Sequence, residues 1–172
     1  MRAVLDFLYR MTGALAAIGM IGTLFFVATG IVSRPLGIYL RGTDAYAGYT
    51  MAACGFLALA YTFKHGEHIR VSLLLDRLGA RMRLIAEWFA LLVGVAVAGT
   101  LAFYSARMVW FSFEFGDRSQ GIDATPLWMP QMLMLLGTTV LFIALLDDLV
   151  MRAMGREPAR LVGAGQNRSR ME

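Results

Sequence analysis

Charge is missing from four long stretches of this chain, and no other feature of the sequence is as informative. The stretches span residues 11–32, 45–63, 88–106 and 125–146 and are 19 to 22 residues long. At about 1.5 Å of rise per residue, a helix of that length reaches roughly the 30 Å thickness of a hydrocarbon core. The chain is 58% hydrophobic and only 16% charged, which is unusual for a soluble domain. We therefore predict an all-α integral membrane protein with four transmembrane helices.

Residues that bind metals or carry redox chemistry are scarce. Cys54 is the single cysteine, so these 172 residues hold no internal disulfide. The two histidines, His65 and His68, lie three residues apart at the end of one span. A haem between two helices needs a histidine on each, and a zinc site needs further ligands. We expect no cofactor, no metal site and no enzymatic activity.

Ionisable groups at membrane depth serve proton relays, ion sites and voltage sensors, and the four stretches contain none. A chain of this kind is not expected to move a solute alone. The hydroxyl residues in the stretches are predicted to bond a preceding carbonyl or a neighbouring helix. They are Thr12, Thr23, Thr29, Thr50, Thr62, Ser105, Thr138 and Thr139. Small residues predict close packing along two stripes: Gly13, Ala17 and Ile21, and Gly94, Ala98 and Ala102.

Basic residues favour one orientation in the membrane. Twelve of the 16 Lys and Arg residues lie in the N-terminus, the loop between spans two and three, and the C-terminal tail. Because such residues stay on the cytoplasmic side, both termini are predicted to be cytoplasmic. The expected organisation is a four-span domain at 1–150 and a basic tail at 151–172. The dispersed charge suits lipid headgroups as partners and does not suit nucleic acid.

The first hydrophobic stretch resembles a secretory signal only superficially. It is longer than a typical h-region, and no clear cleavage site follows it before Arg34. We interpret it as a retained span.

The loop between spans two and three is predicted to hold an amphipathic interfacial helix over about 70–86. Its apolar residues fall within roughly a 100° arc of a helical wheel. They are Val71, Leu74, Leu75, Leu78, Met82 and Ile85. Such a helix either lies along the cytoplasmic membrane surface or packs against a partner, and the sequence favours neither.

The loop before the fourth span is predicted to cover 107–124, with aromatic residues at the membrane interface. The fourth span is expected to open at Thr125 and Pro126. Pro130 is expected in the first helical turn, where the N–H groups have no intrahelical partner.

Two motifs resemble the small membrane subunit of TRAP transporters, the tripartite ATP-independent periplasmic uptake systems. The first follows the second span and reads Lys64-His65-Gly66-Glu67-His68-Ile69-Arg70-Val71-Ser72-Leu73-Leu74. The second opens the fourth span and reads Thr125-Pro126-Leu127-Trp128-Met129-Pro130. The layout of four spans with both termini inside is similar along essentially the whole chain. Ser72 stands where the family commonly has an Asp. A salt bridge that this Asp makes in relatives is therefore not expected in this chain.

The resemblance implies a supporting role in the bacterial inner membrane. In that family a large multi-span membrane subunit carries the substrate and sodium sites, and a periplasmic substrate-binding protein delivers organic acids. The small subunit packs against the large one. The partner or structural motif would comprise Lys64, His65, His68, Arg70, Ser72, Pro126, Trp128 and Pro130. Alternatively, His65, His68 and Arg70 only cap a helix and contact headgroups.

Other classes remain open from the sequence. One is an autonomous four-span channel or transporter acting as an oligomer, which predicts an acid at membrane depth. Another is a haem anchor, which predicts histidines on two facing helices. A third is a membrane assembly protein without a role in transport.

Overall fold

A computed structural model describes residues 2–38, 40–64, 79–121 and 123–155. These residues form four helices, which we label α1 (Arg2–Ser33), α2 (Thr43–Lys64), α3 (Ala80–Glu114) and α4 (Trp128–Ala153). Within the described part, the chain has no β-strand beyond an isolated antiparallel bridge between Arg118 and Pro126. The predicted all-helical class is confirmed.

Three of the four helices are long and apolar enough to cross a membrane. The candidate spans are Leu5–Ser33, Arg81–Glu114 and Trp128–Ala153. The remaining helix, α2, has 22 residues and is long enough, but its tyrosine, threonine and glycine residues dilute its apolar character. A fourth span therefore stays a prediction.

The helices extend past the uncharged stretches, because polar residues are tolerated where a helix leaves the hydrocarbon core. The prediction of a loop at 107–124 was wrong for its first eight residues, because α3 continues to Glu114. Likewise, 80–86 of the predicted interfacial helix are the first turns of α3, with Gly79 as the residue before the helix. The rest of that predicted helix, up to residue 78, lies outside the described residues.

The helices form an open row in the order α1, α2, α4, α3. Helix α2 packs between α1 and α4, whereas α3 contacts α4 and lies at the far edge. Consecutive helices run antiparallel, so α2 and α4 are parallel neighbours. We call the end that holds residues 34–38, 40–42, 115–121 and 123–127 the loop end. The end where α2 finishes and α3 begins is the motif end. Contacts that fix these directions are Gly13 with Tyr61, Gly30 with Thr43, and Gly99 with Phe142.

Small residues allow the central helices to approach closely. A Cβ on Gly137 of α4 would overlap the main chain of Phe56 in α2. Leu57 and Ala60 of α2 and Thr138 of α4 are almost completely buried. The central position of α2 explains its composition, since a helix flanked on both sides needs small residues more than lipid-facing ones.

The predicted behaviour of the hydroxyl residues is confirmed for six of them. Thr12, Thr23, Thr29, Thr50, Thr62 and Thr138 each donate to a carbonyl in the preceding turn. Thr23 and Thr50 also join α1 to α2, with 3.0 Å between their hydroxyl oxygens. Of the two small-residue stripes, the second is supported at Gly94, which faces Leu145, and at buried Ala98. In the first, Gly13 packs on Tyr61 but Ala17 and Ile21 are exposed.

Candidate functional site

The first predicted motif begins where α2 ends. Lys64 is the last residue of α2. His65, His68, Arg70 and Ser72 lie outside the described residues. Their assignment to a partner or structural motif therefore remains a prediction.

The second predicted motif forms the entrance to α4. Pro126 precedes the helix and pairs with Arg118 in the isolated bridge. Trp128 is the first residue of α4, and its ring packs edge-on against Phe113, with 6.0 Å between the ring centroids. Pro130 is the third residue of α4, so its missing N–H costs no helical bond. The expected position of Pro130 in the first turn is confirmed, although α4 begins three residues later than predicted.

The loop between α3 and α4 folds back on itself at the loop end. The Ser119 N–H donates to the Thr125 carbonyl at 2.8 Å, and the Leu127 N–H donates to the Asp117 carbonyl at 3.0 Å. These bonds bring the two halves of the loop together. The loop is thereby held as a defined structure that joins the ends of α3 and α4.

Asp123 connects this loop to α2. Its carboxylate accepts hydrogen bonds from the Tyr49 hydroxyl at 3.2 Å, the Ser119 hydroxyl at 3.1 Å and the Thr125 N–H at 3.4 Å. The Thr125 hydroxyl in turn donates to the Tyr46 hydroxyl at 3.4 Å. We call Asp123 with Tyr49, Ser119 and Thr125 the Asp123 cluster. It links two parts of the chain that are more than 70 residues apart in the sequence.

The charged form of Asp123 is favoured by this environment. Hydrogen bonds from Thr125, and then from Ser119, lower the pKa of the Asp123 carboxyl from its ordinary value. A carboxylate that accepts several hydrogen bonds is stabilised relative to the protonated acid. The Asp123 cluster therefore includes a fixed negative charge at neutral pH.

A polar cavity of about 530 Å³ lies beside the Asp123 cluster. Its charged lining residues are Arg34, Asp44 and Asp123. Arg34 and Asp44 form a loose ion pair, with 3.9 Å between their nearest nitrogen and oxygen atoms, and both side chains are mostly exposed. Such a pair contributes little to stability, and both side chains remain available to other ions.

An ion-pair network lies at the motif end. The Glu87 carboxylate of α3 accepts a hydrogen bond from Arg152 of α4. It also accepts from Arg83, which is four residues earlier in α3, with 3.2 Å between Arg83 Nε and Glu87 Oε1. The Glu87 and Arg152 side chains are 25% and 17% exposed. The pair ties the start of α3 to the end of α4, close to the predicted partner motif along the chain.

Asp148 is a buried acid near the end of α4, with 6% of its surface exposed. Tyr9 of α1 is similarly buried at the motif end. The predicted fourth span at 125–146 contains no acid, whereas α4 continues to Ala153 and so includes Asp148. Asp148 belongs to the last two turns of α4, away from the middle of the helix.

The contacts of Asp123, Glu87 and Asp148 were not predicted from the sequence. The first two act through partners 65 or more residues away in the chain, and no short-range pattern reveals such pairs. The overlooked signal for Asp148 was that an apolar helix can end several residues beyond its uncharged run. Among the described residues, no group of His, Cys, Asp and Glu is placed to hold a metal ion.

The helices and their exposed apolar faces define the class as an all-helical membrane protein with membrane-spanning helices. Residues 23–154 match the family described as tripartite ATP-independent periplasmic transporters, DctQ component. Because the match covers more than half of the sequence, the chain belongs to this family of transporter components. Comparisons with curated proteins and with solved structures found no match.

Proposed function

We propose that this chain is the small membrane subunit of a TRAP-type secondary transporter. It would scaffold a large membrane subunit that moves organic acids with sodium, after a periplasmic binding protein delivers them. The family match over residues 23–154 carries the proposal. The sodium coupling, the class of solute and the inner-membrane location come from the family resemblance.

The helix row supports a scaffolding role. Helices α1 and α3 lie at its two edges, and both carry large exposed apolar side chains. Examples are Ile21 and Leu24 on α1, and Phe89 and Phe103 on α3. Such faces suit lipid or the apolar surface of another membrane protein. One edge would contact the large subunit and the other would face lipid.

We further propose that α2 is the fourth span and that both termini are cytoplasmic. Between Asp44 and Lys64, α2 carries no charged residue. The motif end, with Lys64, Arg83 and Arg152, would then face the cytoplasm, in line with the positive-inside rule. A reporter fused after Glu172 tests this orientation, because periplasmic activity there would contradict it.

Co-purification tests the proposed function. The tagged chain is expressed with the large membrane subunit of its own transporter and purified in mild detergent. We expect a stoichiometric complex, and uptake that is lost when this chain is omitted. Recovery of the chain alone or as a homo-oligomer, with uptake unaffected, would contradict the proposal and favour the autonomous channel.

Variants of two motif residues test the predicted motif. We expect Arg70→Gln and His68→Ala to reduce recovery of the complex while the chain still inserts into the membrane. Arg118→Gln, in the α3–α4 loop, is the matched control and should leave recovery unchanged. Normal recovery with both motif variants would show that the motif serves only as a helix end in contact with headgroups.

A further inference from the structure

The polar cavity at the loop end continues into an apolar groove. The groove has a volume of about 460 Å³ and opens on the outer face of α1. The cavity and the groove share Ser33, Ile38 and Leu40 as lining residues. The cavity and the groove therefore adjoin, and together they form a depression whose lining changes from charged to apolar at the edge of α1.

The groove suits a hydrocarbon chain. Phe25 and Val32 of α1, together with Leu36 in the following turn, line it and are each more than half exposed. Ala28 leaves space between them. Because α1 is a candidate span, the groove runs from the level of the hydrocarbon core towards the water interface. An acyl chain would lie there alongside α1.

The charges in the cavity select the headgroup. Arg34 provides one positive charge, and Asp44 and Asp123 provide two negative charges. An anionic headgroup would gain from Arg34 but meet both carboxylates. A zwitterionic headgroup can place its phosphate near Arg34 and its cation near the carboxylates, which matches both signs of charge.

The cation is best matched by a primary ammonium. The carboxylate of Asp123 accepts from Tyr49, Ser119 and the Thr125 N–H, and also from its own N–H, so its roughly four acceptor positions are engaged. Within the part of the chain that the structure describes, Asp44 pairs loosely with Arg34, and its carboxylate is mostly exposed. An ammonium group donates up to three hydrogen bonds, whereas a quaternary choline group has none to donate. Asp44 can accept from the ammonium, and Asp123 adds a second negative charge to the lining of the cavity.

We propose that this depression is a binding site for phosphatidylethanolamine, with the headgroup in the polar cavity and an acyl chain in the groove. The proposal rests on the chain lying in a membrane and is independent of its role in transport. In the proposed orientation, the lipid belongs to the periplasmic leaflet.

Native mass spectrometry of the full chain tests the site. The chain is delipidated in detergent and offered phosphatidylethanolamine, phosphatidylcholine and phosphatidylglycerol in equal amounts with identical acyl chains. We expect phosphatidylethanolamine to be retained about tenfold over the other two, the effect of one charge-assisted hydrogen bond. Equal retention of the three lipids, or preference for phosphatidylglycerol, would overturn the proposal. This ranking uses the unaltered chain and does not depend on a variant folding.

Matched variants locate the binding. Arg34→Gln, Asp44→Asn and Ala28→Phe should each reduce retention of phosphatidylethanolamine severalfold, and the conservative Arg34→Lys and Asp44→Glu should restore much of it. The controls are Arg41→Gln, Asp117→Asn and Ala17→Phe, which lie outside the cavity and the groove. Unchanged retention in the three site variants, or equal losses in the controls, would show that the lipid binds elsewhere and overturn the proposal.

Discussion

Asp123 shows how one side chain can fix a loop to a helix. Its folded-state pKa is lowered by hydrogen bonds, so the bonds contribute stability above the unfolded-state pKa, which is about 4. That contribution is lost as the pH falls through the folded-state pKa. We expect the thermal midpoint of the wild type to drop on acidification below about pH 4, and part of that drop to be absent in Asp123→Asn.

Asp117→Asn is the control for this measurement, because Asp117 is an exposed carboxylate in the same loop. It should keep the full acid response. An Asp123→Asn variant with the same pH profile as the wild type would show that the Asp123 cluster does not contribute to stability.

The Glu87–Arg152 pair makes a second prediction at the residue scale. Removing Arg152 leaves Glu87 partly buried with Arg83 as its remaining partner. We expect Arg152→Gln to lower the free energy of unfolding by about 1–2 kcal/mol. Arg83→Gln is the control, since Arg83 is 53% exposed, and should cost less than about 0.5 kcal/mol.

A double-mutant cycle with Glu87→Gln and Arg152→Gln isolates the pair. A coupling free energy of about 1 kcal/mol is expected for side chains in direct contact. Additive effects would contradict the direct interaction and assign the loss to packing around Arg152.

At the scale of single residues, the sequence predicted the hydrogen bonds that side chains form within their own helix. Thr12 and Thr138 bond their own helices, as expected from the rule for hydroxyls in apolar helices. The Asp123 cluster could not be predicted, because it depends on how a loop returns to a helix that is 74 residues away. The proposed lipid site also depends on that placement.

At the scale of elements, Gly137 determines how closely α4 approaches α2. A methyl group there would overlap the main chain of Phe56. Main-chain atoms cannot rotate away, so we expect Gly137→Ala to destabilise the protein by about 1–3 kcal/mol in a denaturant titration.

Gly55→Ala provides the matched comparison. Gly55 is also inside a helix, but no atom lies within 4 Å of a Cβ built there. Alanine should be neutral or stabilising by up to about 1 kcal/mol, because it favours the helix. Similar effects of the two substitutions would contradict the close contact between α2 and α4.

The sequence predicted where the helices lie but not their ends. Uncharged stretches identified the core of each helix because lipid excludes charge. The ends depend on capping and loop contacts, which is why α3 continues through 107–114 and α4 begins only at Trp128. The position of Pro130 in the first turn of α4 could be predicted from the sequence, because proline has no N–H to donate inside a helix.

At the scale of the whole molecule, the position of α2 makes a prediction about topology. In a cysteine-free Cys54→Ala background, Asp44→Cys should react with an impermeant maleimide from the periplasmic side. Lys64→Cys should react only after the membrane is permeabilised. Labelling of both positions from one side would show that α2 does not cross the membrane.

The order of the helices in the row could not be predicted from the sequence. Four spans with short connections are compatible with several arrangements, and charge distribution predicts only which side each loop faces. The side-by-side contact of α2 with α4 depends on the fit of Gly137 against Phe56, a property of two surfaces and not of either helix alone.

The open row of helices has a mechanical consequence. A body in a membrane resists rotation according to how far it extends sideways. In the proposed topology, four helices in a row therefore meet more rotational drag than the same four helices around a common centre. A moving partner attached along one edge would be steadied against rotation. The chain would then add breadth in the plane of the bilayer.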